Sequence, residues 1–441
     1  MIVPVLSASD CAQLTLFGSK SAYQLYLTIG NILKAICWKP SRHTQVLLAY
    51  LPSTKLKHIS CLASWQRILT NLFHSCLGCI FRPLEDAGIQ GIPMRDGLGI
   101  WRWIHPILAV FIGDYPEQVL IMSTKTTYCP KGNISSDSLG CYGVPCHPQD
   151  LLAIKDTLLK ADTDPYTFQR ECEALCIKPV YHPFWISLPF LNIFQSITPD
   201  ILHQLLQGLL KHLLSWLSTT YGASEVDAHA QHVIPNFHIW IFSNGITELS
   251  HVTGKEHDLM CQILLGLIAN ARLLNNLDPT RMIWAVQAFL DFLYLVQLQV
   301  QWTKTLHHLE LALVRFHDNK SIFVDLNIRK KVLIYPNSML ASTMLSQSNA
   351  LDQWITMTLS IWSIYTLNWQ RMLTGQQILM MSSPKWLNGS SDKNRSIVME
   401  TSSVKRCITV LIELLVLPPS LNFIQSAASK WLSSQVYRGC Q

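Results

Sequence analysis

Charge is scarce in this chain. Only 14% of its 441 residues are Asp, Glu, Lys or Arg, against 49% hydrophobic. A composition this apolar can bury enough surface to order a chain, which excludes disorder as its overall state. A signal-peptide pattern is also missing. Met1 is followed at once by the apolar run Ile2 to Leu6, with no basic segment and no small-residue cleavage site. The cysteines lack the regular spacing of a disulfide framework. Thirteen of them, an odd number, are scattered from Cys11 to Cys440, as expected of reduced thiols in a nuclear or cytoplasmic protein. No apolar run of membrane-spanning length is uninterrupted. Met282 to Trp302 contains Asp291. His182 to Pro199 contains Pro183, Pro189 and Pro199, and Cys407 to Ile424 contains Glu413 and Pro418-Pro419. These stretches read as buried helices or loops, so no clear membrane partner is expected; only the high overall hydropathy keeps a membrane-associated helical protein as a third reading.

What is present, and organises the rest, is the stretch His105 to Glu117. Ile107 to Ile112 reads as a buried strand that runs into Gly113 and delivers a carboxylate, Asp114, before Tyr115-Pro116 breaks it. A strand-end Asp can ligate a metal, form a turn or cap a helix, and its partners decide which. Asp10 also follows a short apolar strand, Ile2 to Leu6, with an Asx turn as the competing reading. A second strand spans Tyr23 to Ile29. A helix is expected over Ser41 to Leu51, and another over Leu62 to Phe81, where apolar residues recur at helical spacing. Cys76 and Cys79 on that helix lack a second pair at zinc spacing and read as core cysteines. Gly88, Gly91 and Gly97 mark a loop leading to the central strand.

The order strand with Asp, strand, helices, strand with Asp matches the first half of an RNase H-like fold, an α/β (α+β) core. Clustered carboxylates suit that chemistry, because two divalent ions about 4 Å apart can activate a nucleophile and stabilise the leaving oxygen of a phosphodiester. Residues 1 to 125 hold eleven Lys and Arg against six Asp and Glu, a balance that suits DNA phosphates or a solvated basic face.

Residues 126 to 150 form a Cys-rich loop. Cys129, Cys141, Cys146 and His147 are candidates for a zinc site, but Gly132 stands where a second close Cys would be needed, so zinc is doubtful and the site reads as degraded. From Asp150 to Arg315 the pattern is helical. Asp200 and His203 would share a face near a helix start, as metal ligands or as an N-cap and a half-buried His. Helices are expected over Gly254 to Ala271 and Met282 to Gln299, and a loop over Phe316 to Lys320. From Arg329 to Gln441 there are only four acids, with seven of the twelve Met and no clean periodicity, so this tail reads as irregular or disordered.

Several blocks of the chain resemble the Plavaka-like transposases, a fungal group in the Kyakuja–Dileera–Zisupton superfamily of DDE-type mobile-element enzymes. They are Leu14-Thr-Leu-Phe17, Tyr26-Leu-Thr-Ile-Gly-Asn31, Lys39-Pro-Ser-Arg42, Leu48 to Leu51 and Phe111-Ile-Gly-Asp-Tyr-Pro-Glu-Gln118. Tyr181-His-Pro-Phe-Trp185, Ser196-Ile-Thr-Pro-Asp-Ile-Leu-His-Gln204, Val252-Thr-Gly-Lys-Glu-His-Asp258 and Arg315-Phe-His-Asp-Asn-Lys320 complete the set. The resemblance runs from about residue 2 to 328. It implies an RNase H-like catalytic core, residues 1 to 125 forming its first half, with a helical insertion over 151 to 328. It also implies Mg²⁺ as cofactor and DNA, the transposon ends, as partner. Asp10 and Asp114 are the first two catalytic acids and Mg²⁺ ligands on this reading, with Asp200 the competitor for the second. Glu117, Asp200, His203, His257 and Asp258 are motif residues without an assigned role.

The departures from the family are as informative. Cys37-Trp38 and Trp101-Arg-Trp103 stand where the family is arginine-rich, the result that C-to-T decay of CGN codons gives. The family block resembling D-N-Y-x-T-E-Y-x-E-x-L-H, which carries the third acid, is absent in this frame. Read from the third base of each codon, Asp352 to Ile378 can restore it: Trp354-Ile355 and Met357-Thr358 each force Asp, and Trp369-Gln370 forces Ala. A frameshift near Ile328 to Lys331 is therefore expected. It would leave a tail unrelated to the family, a pseudogene-like copy without catalysis, and an incomplete sheet whose apolar surface favours self-association. A non-catalytic helical module that binds DNA or protein is the rival reading.

Overall fold

A computed structural model describes residues 1–328, apart from 14–20, 33, 38–39, 43, 55, 57, 96–98, 127, 133, 135–137, 139–146, 199–200, 235, 238, 251, 270–272, 274–277 and 299–300. The expectation of an irregular tail falls on residues outside this set. The chain divides into two compact units. Among the described residues the first comprises 1–125 and 150–198, and the second 126–149 and the part after 199.

The first unit is mixed α/β. Its strands are β1 (Ile2–Gln13), β2 (Ser21–Ile29), β3 (Val46–Leu51), β4 (Ile92–Arg95), β5 (Trp101–Ile112) and β6 (Ile197–Thr198). They order as β3-β2-β1-β5-β4, with β6 also beside β5. β1, β2 and β3 pair antiparallel, whereas β5 runs parallel to β1, and β6 runs parallel to β5. A parallel pair needs a crossover. It is supplied here by α2 (Leu62–Phe81) and α3 (Pro83–Gln90), after the short α1 (Lys34–Cys37). The remaining helices of this unit are α4 (Tyr115–Ile121), α5 (Leu151–Leu159), α6 (Pro165–Ala174) and α7 (Ile193–Ser196).

β5 is twice the length that its apolar centre suggested, because its first part pairs with β4 and its middle with β1. Pro106 lies inside it without breaking it. On the β4 side, pairing stops at Ile104 and resumes with β6 only at Phe111, so the missing N–H falls in a gap. Over the sheet, α2 buries Leu72, Phe73, Leu77, Ile80 and Phe81. Phe81, Phe111 and Phe184 form a three-ring cluster with centroids 5.7 to 6.5 Å apart. Each such ring stabilises by about 1.5–3 kcal/mol through burial.

Four local expectations are corrected. Ser41 to Leu51 is not a helix: Pro40–Arg42 makes a single 3₁₀ turn and Val46–Leu51 becomes edge strand β3, because pairing with β2 outweighs helix propensity over so short a run. β1 does not end before Ser9-Asp10 but continues through them, paired to β2 at Ser9–Leu25 and Asp10–Gln24. Gly88 is helical, in α3, and a Cβ there would stand 2.7 Å from Pro189 Cγ. Of the two α2 cysteines, Cys76 is buried but Cys79 is exposed.

The second unit is helical. Ile201–Leu210 is a π-helix that continues into α8 (Lys211–Tyr221), followed by α9 (Ala223–Gln231), α10 (Gly254–Ala269), α11 (Thr280–Val296), α12 (Thr303–Asn319) and α13 (Ile322–Asp325). Phe316 to Lys320, expected as a loop, is the end and C-cap of α12, with Phe316 buried in the core. Arg315 pairs with Asp291 and Arg281 with Asp325, each at 2.8 Å. No helix among the described residues is long and apolar enough to cross a membrane.

Candidate active site

The parallel register of β1 and β5 aligns Ala8 with Ile112. Asp10 and Asp114 each lie two residues beyond that pair, at the same edge of the sheet. Asp10 is still within β1, whereas Asp114 has left β5 and caps α4: its Oδ1 accepts the Glu117 N–H at 2.9 Å. The helix-cap role and the candidate ligand role therefore fall on one carboxylate. Pro116 at the start of α4 suits this, since the first turn of a helix leaves its N–H groups without intrahelical partners.

Asp114-Tyr-Pro-Glu117 has the spacing of a capping box, in which the Glu would fold back onto the cap residue's N–H. It does not. Glu117 turns inward and is only 6% exposed. Its Oε1 accepts from Ser9 Oγ on β1 and from Tyr23 OH on β2, the latter at 2.8 Å. Burial pushes the Glu117 carboxyl well above its ordinary range, the Asp114 and Asp10 charges push it the same way, and the two hydroxyl bonds oppose them. Both aspartates thus act on one buried carboxyl. Burial likewise pushes the Tyr23 phenol up, with the Glu117 and Asp114 charges adding to it. Gly113 is required by this packing: a Cβ there would stand 2.9 Å from Glu117 Cγ.

The end of α4 is held by His74 of α2. Its Nε2 lies 3.0 Å from the Leu120 carbonyl and 3.2 Å from Ser123 Oγ. Burial pushes this imidazole down to about 4. Trp185 donates its indole N–H to the Ile121 carbonyl at 2.8 Å.

Asp10, Asp114 and Glu117 are brought together. Asp200, Cys141 and Cys146 lie outside the described residues. In the second unit, Cys129 is buried, and Gln149 donates its side-chain amide to the Cys129 and Gly132 carbonyls. His203 is half-buried on the π-helix. His257 is buried in α10, pushed down by desolvation and then by Lys211, and its Nδ1 has no hydrogen-bond partner. Burial raises Asp258, against a hydrogen bond with Gln297. Among the described residues no group of three or more His, Cys, Asp or Glu has the geometry of a metal site.

Ser9 and Tyr23 carried no motif in the sequence. Alternation along β1 and β2 could have marked them only as half-polar positions on buried strands.

Residues 1–217 match the family model described as Plavaka transposase. No curated protein matches the chain.

Proposed function

We propose, for a chain that belongs to the Plavaka transposase family through residues 1–217, that its first unit is the core of a DDE-type transposase that holds a divalent cation on Asp10 and Asp114 but does not cleave DNA. One observation carries the reading: the two aspartates each lie two residues beyond the aligned pair Ala8–Ile112 of the adjacent parallel strands β1 and β5, and both act on the same buried carboxyl, Glu117. The strand order supports an RNase H-like core, in which two strand-end acids meet at the sheet's carboxyl edge.

The donor set fits a hard cation. Mg²⁺ binds through one or two carboxylates and completes its shell with water and substrate phosphate oxygens. When bound, such an ion supplies charge stabilisation and an activated oxygen nucleophile at a phosphodiester. The chain's own residues orient the ligands. The α4 cap fixes Asp114, and the β1–β2 pairing on both sides of Asp10 fixes its backbone. DNA is the partner, and the excess of eleven Lys and Arg over six acids in residues 1–125 supports it.

Loss of catalysis rests on the third acid. No family block carrying it occurs in the sequence of 329–441 as translated, and a frameshift near Ile328 to Lys331 accounts for that. Losing one ligand of a catalytic metal site removes most activity. Purified full-length protein is expected to bind Mn²⁺ and DNA without nicking a supercoiled plasmid. Nicking that Asp114→Asn abolishes would overturn the inactive reading.

A further inference from the structure

Glu117 is not used by the two-aspartate site, yet four structural elements converge on it. Ser9 of β1 and Tyr23 of β2 donate to its Oε1. Its backbone N–H donates to Asp114 Oδ1 at 2.9 Å, and its side chain lies across Gly113 at the end of β5. Tyr23 in turn stacks on Phe73 of α2, with ring centroids 5.6 Å apart. A Leu or Met would fill this space without the desolvation cost of a buried carboxyl. A polar group in such a place is best accounted for by what its hydrogen bonds fix. They end next to the two candidate ligands. Ser9 precedes Asp10 in β1, and Asp114 caps the helix turn that carries Glu117, accepting its backbone N–H.

We infer that Glu117 is a positioning residue that sets the spacing of Asp10 and Asp114 by tying β1 and β2, through its accepting Oε1, to the first turn of the helix that Asp114 caps, without itself ligating the ion. The inference rests on the two-aspartate metal reading. Two rivals predict different behaviour. If Glu117 were a third ligand, its negative charge would be essential. If it merely filled space, an apolar side chain of its size would serve.

The test is Mn²⁺ affinity of the full-length chain by isothermal titration, with thermal unfolding by circular dichroism as the control for folding. Glu117→Gln keeps Oε1 as an acceptor and removes the carboxylate. It is expected to bind Mn²⁺ within about threefold of wild type, whereas Glu117→Leu is expected to weaken binding by about tenfold or more, the range found when a residue supporting a ligand is lost. Gln as damaging as Leu overturns the inference in favour of a ligand, and Leu as good as wild type overturns it in favour of a filler. Should Glu117→Leu not fold, the double variant Ser9→Ala, Tyr23→Phe removes both donors and keeps the carboxyl. It too should weaken Mn²⁺ about tenfold, and unchanged affinity would refute positioning. Asp10→Asn and Asp114→Asn separate the two levels. If neither affects Mn²⁺ binding, the metal reading falls and takes the inference with it. If both do and the Glu117 series does not, the inference alone falls.

Discussion

The phenol of Tyr23 donates to Oε1 of Glu117 at 2.8 Å, a bond that joins β2 to the first turn of α4 beside both candidate metal ligands. Ser9 shares the same oxygen, so Tyr23→Phe removes one of two donors and leaves the acceptor bonded. The expected cost is about 0.5–1.5 kcal/mol of stability, read by urea denaturation. A larger loss would mean that Ser9 cannot hold Glu117 alone.

Asp114 has two roles that substitution can separate. Asn keeps an oxygen for the cap and removes the charge, whereas Ala removes both. Asp114→Ala should lose about 0.5–2 kcal/mol through the cap, and Asp114→Asn much less. Mn²⁺ binding should be weakened by both. Equal stability of the two variants would show that the cap contributes nothing.

Gly113→Ala tests the packing of Glu117 sterically. The added Cβ would meet Glu117 Cγ at 2.9 Å and its Cβ and Cδ at 3.1 Å. Overpacking of this kind costs about 1–3 kcal/mol. The variant should be less stable on urea denaturation, and the double variant Gly113→Ala, Glu117→Ala should recover part of the loss that the first substitution causes.

His74 sets a pH dependence. It is buried among Phe73, Phe184, Ser123 and the Leu120 carbonyl, and the Lys178 charge opposes its protonation. Its value falls from 6.5 to about 4 in the folded chain. Between these limits the unfolded chain takes up a proton that the folded chain does not, so stability falls as pH drops through this window, by about 3 kcal/mol in total. Above about 6.5 the group contributes no slope. His74→Gln should flatten the acid limb of the stability profile, and an unchanged limb would assign it to other groups.

The proposed frameshift makes a prediction about the gene. Sequencing across Ile328 to Lys331 should find the alternative frame open and carrying the acidic block over Asp352 to Ile378. Stop codons in that frame would refute it.

The parts of the fold visible in the sequence were those with a local cause. Leu62 to Phe81 forms the helix its apolar spacing predicts, and the strand before Asp114 lies where its apolar run does. Val46 to Leu51 does not declare itself a strand, because six apolar and aromatic residues have no period of their own; the neighbouring strand decides it. Phe316 to Lys320 reads as a loop in sequence because its polar residues mask a helix end whose buried Phe316 belongs to the core. The Glu117 bracket was not legible at all. Its donors lie 108 and 94 residues away in the chain, beyond the reach of any local pattern.

The most direct test of the central claim is the Mn²⁺ titration of full-length protein with single Asp10→Asn and Asp114→Asn variants. The two-aspartate site predicts that wild type binds and that each substitution weakens binding by about tenfold or more. Wild-type affinity in both variants would contradict it.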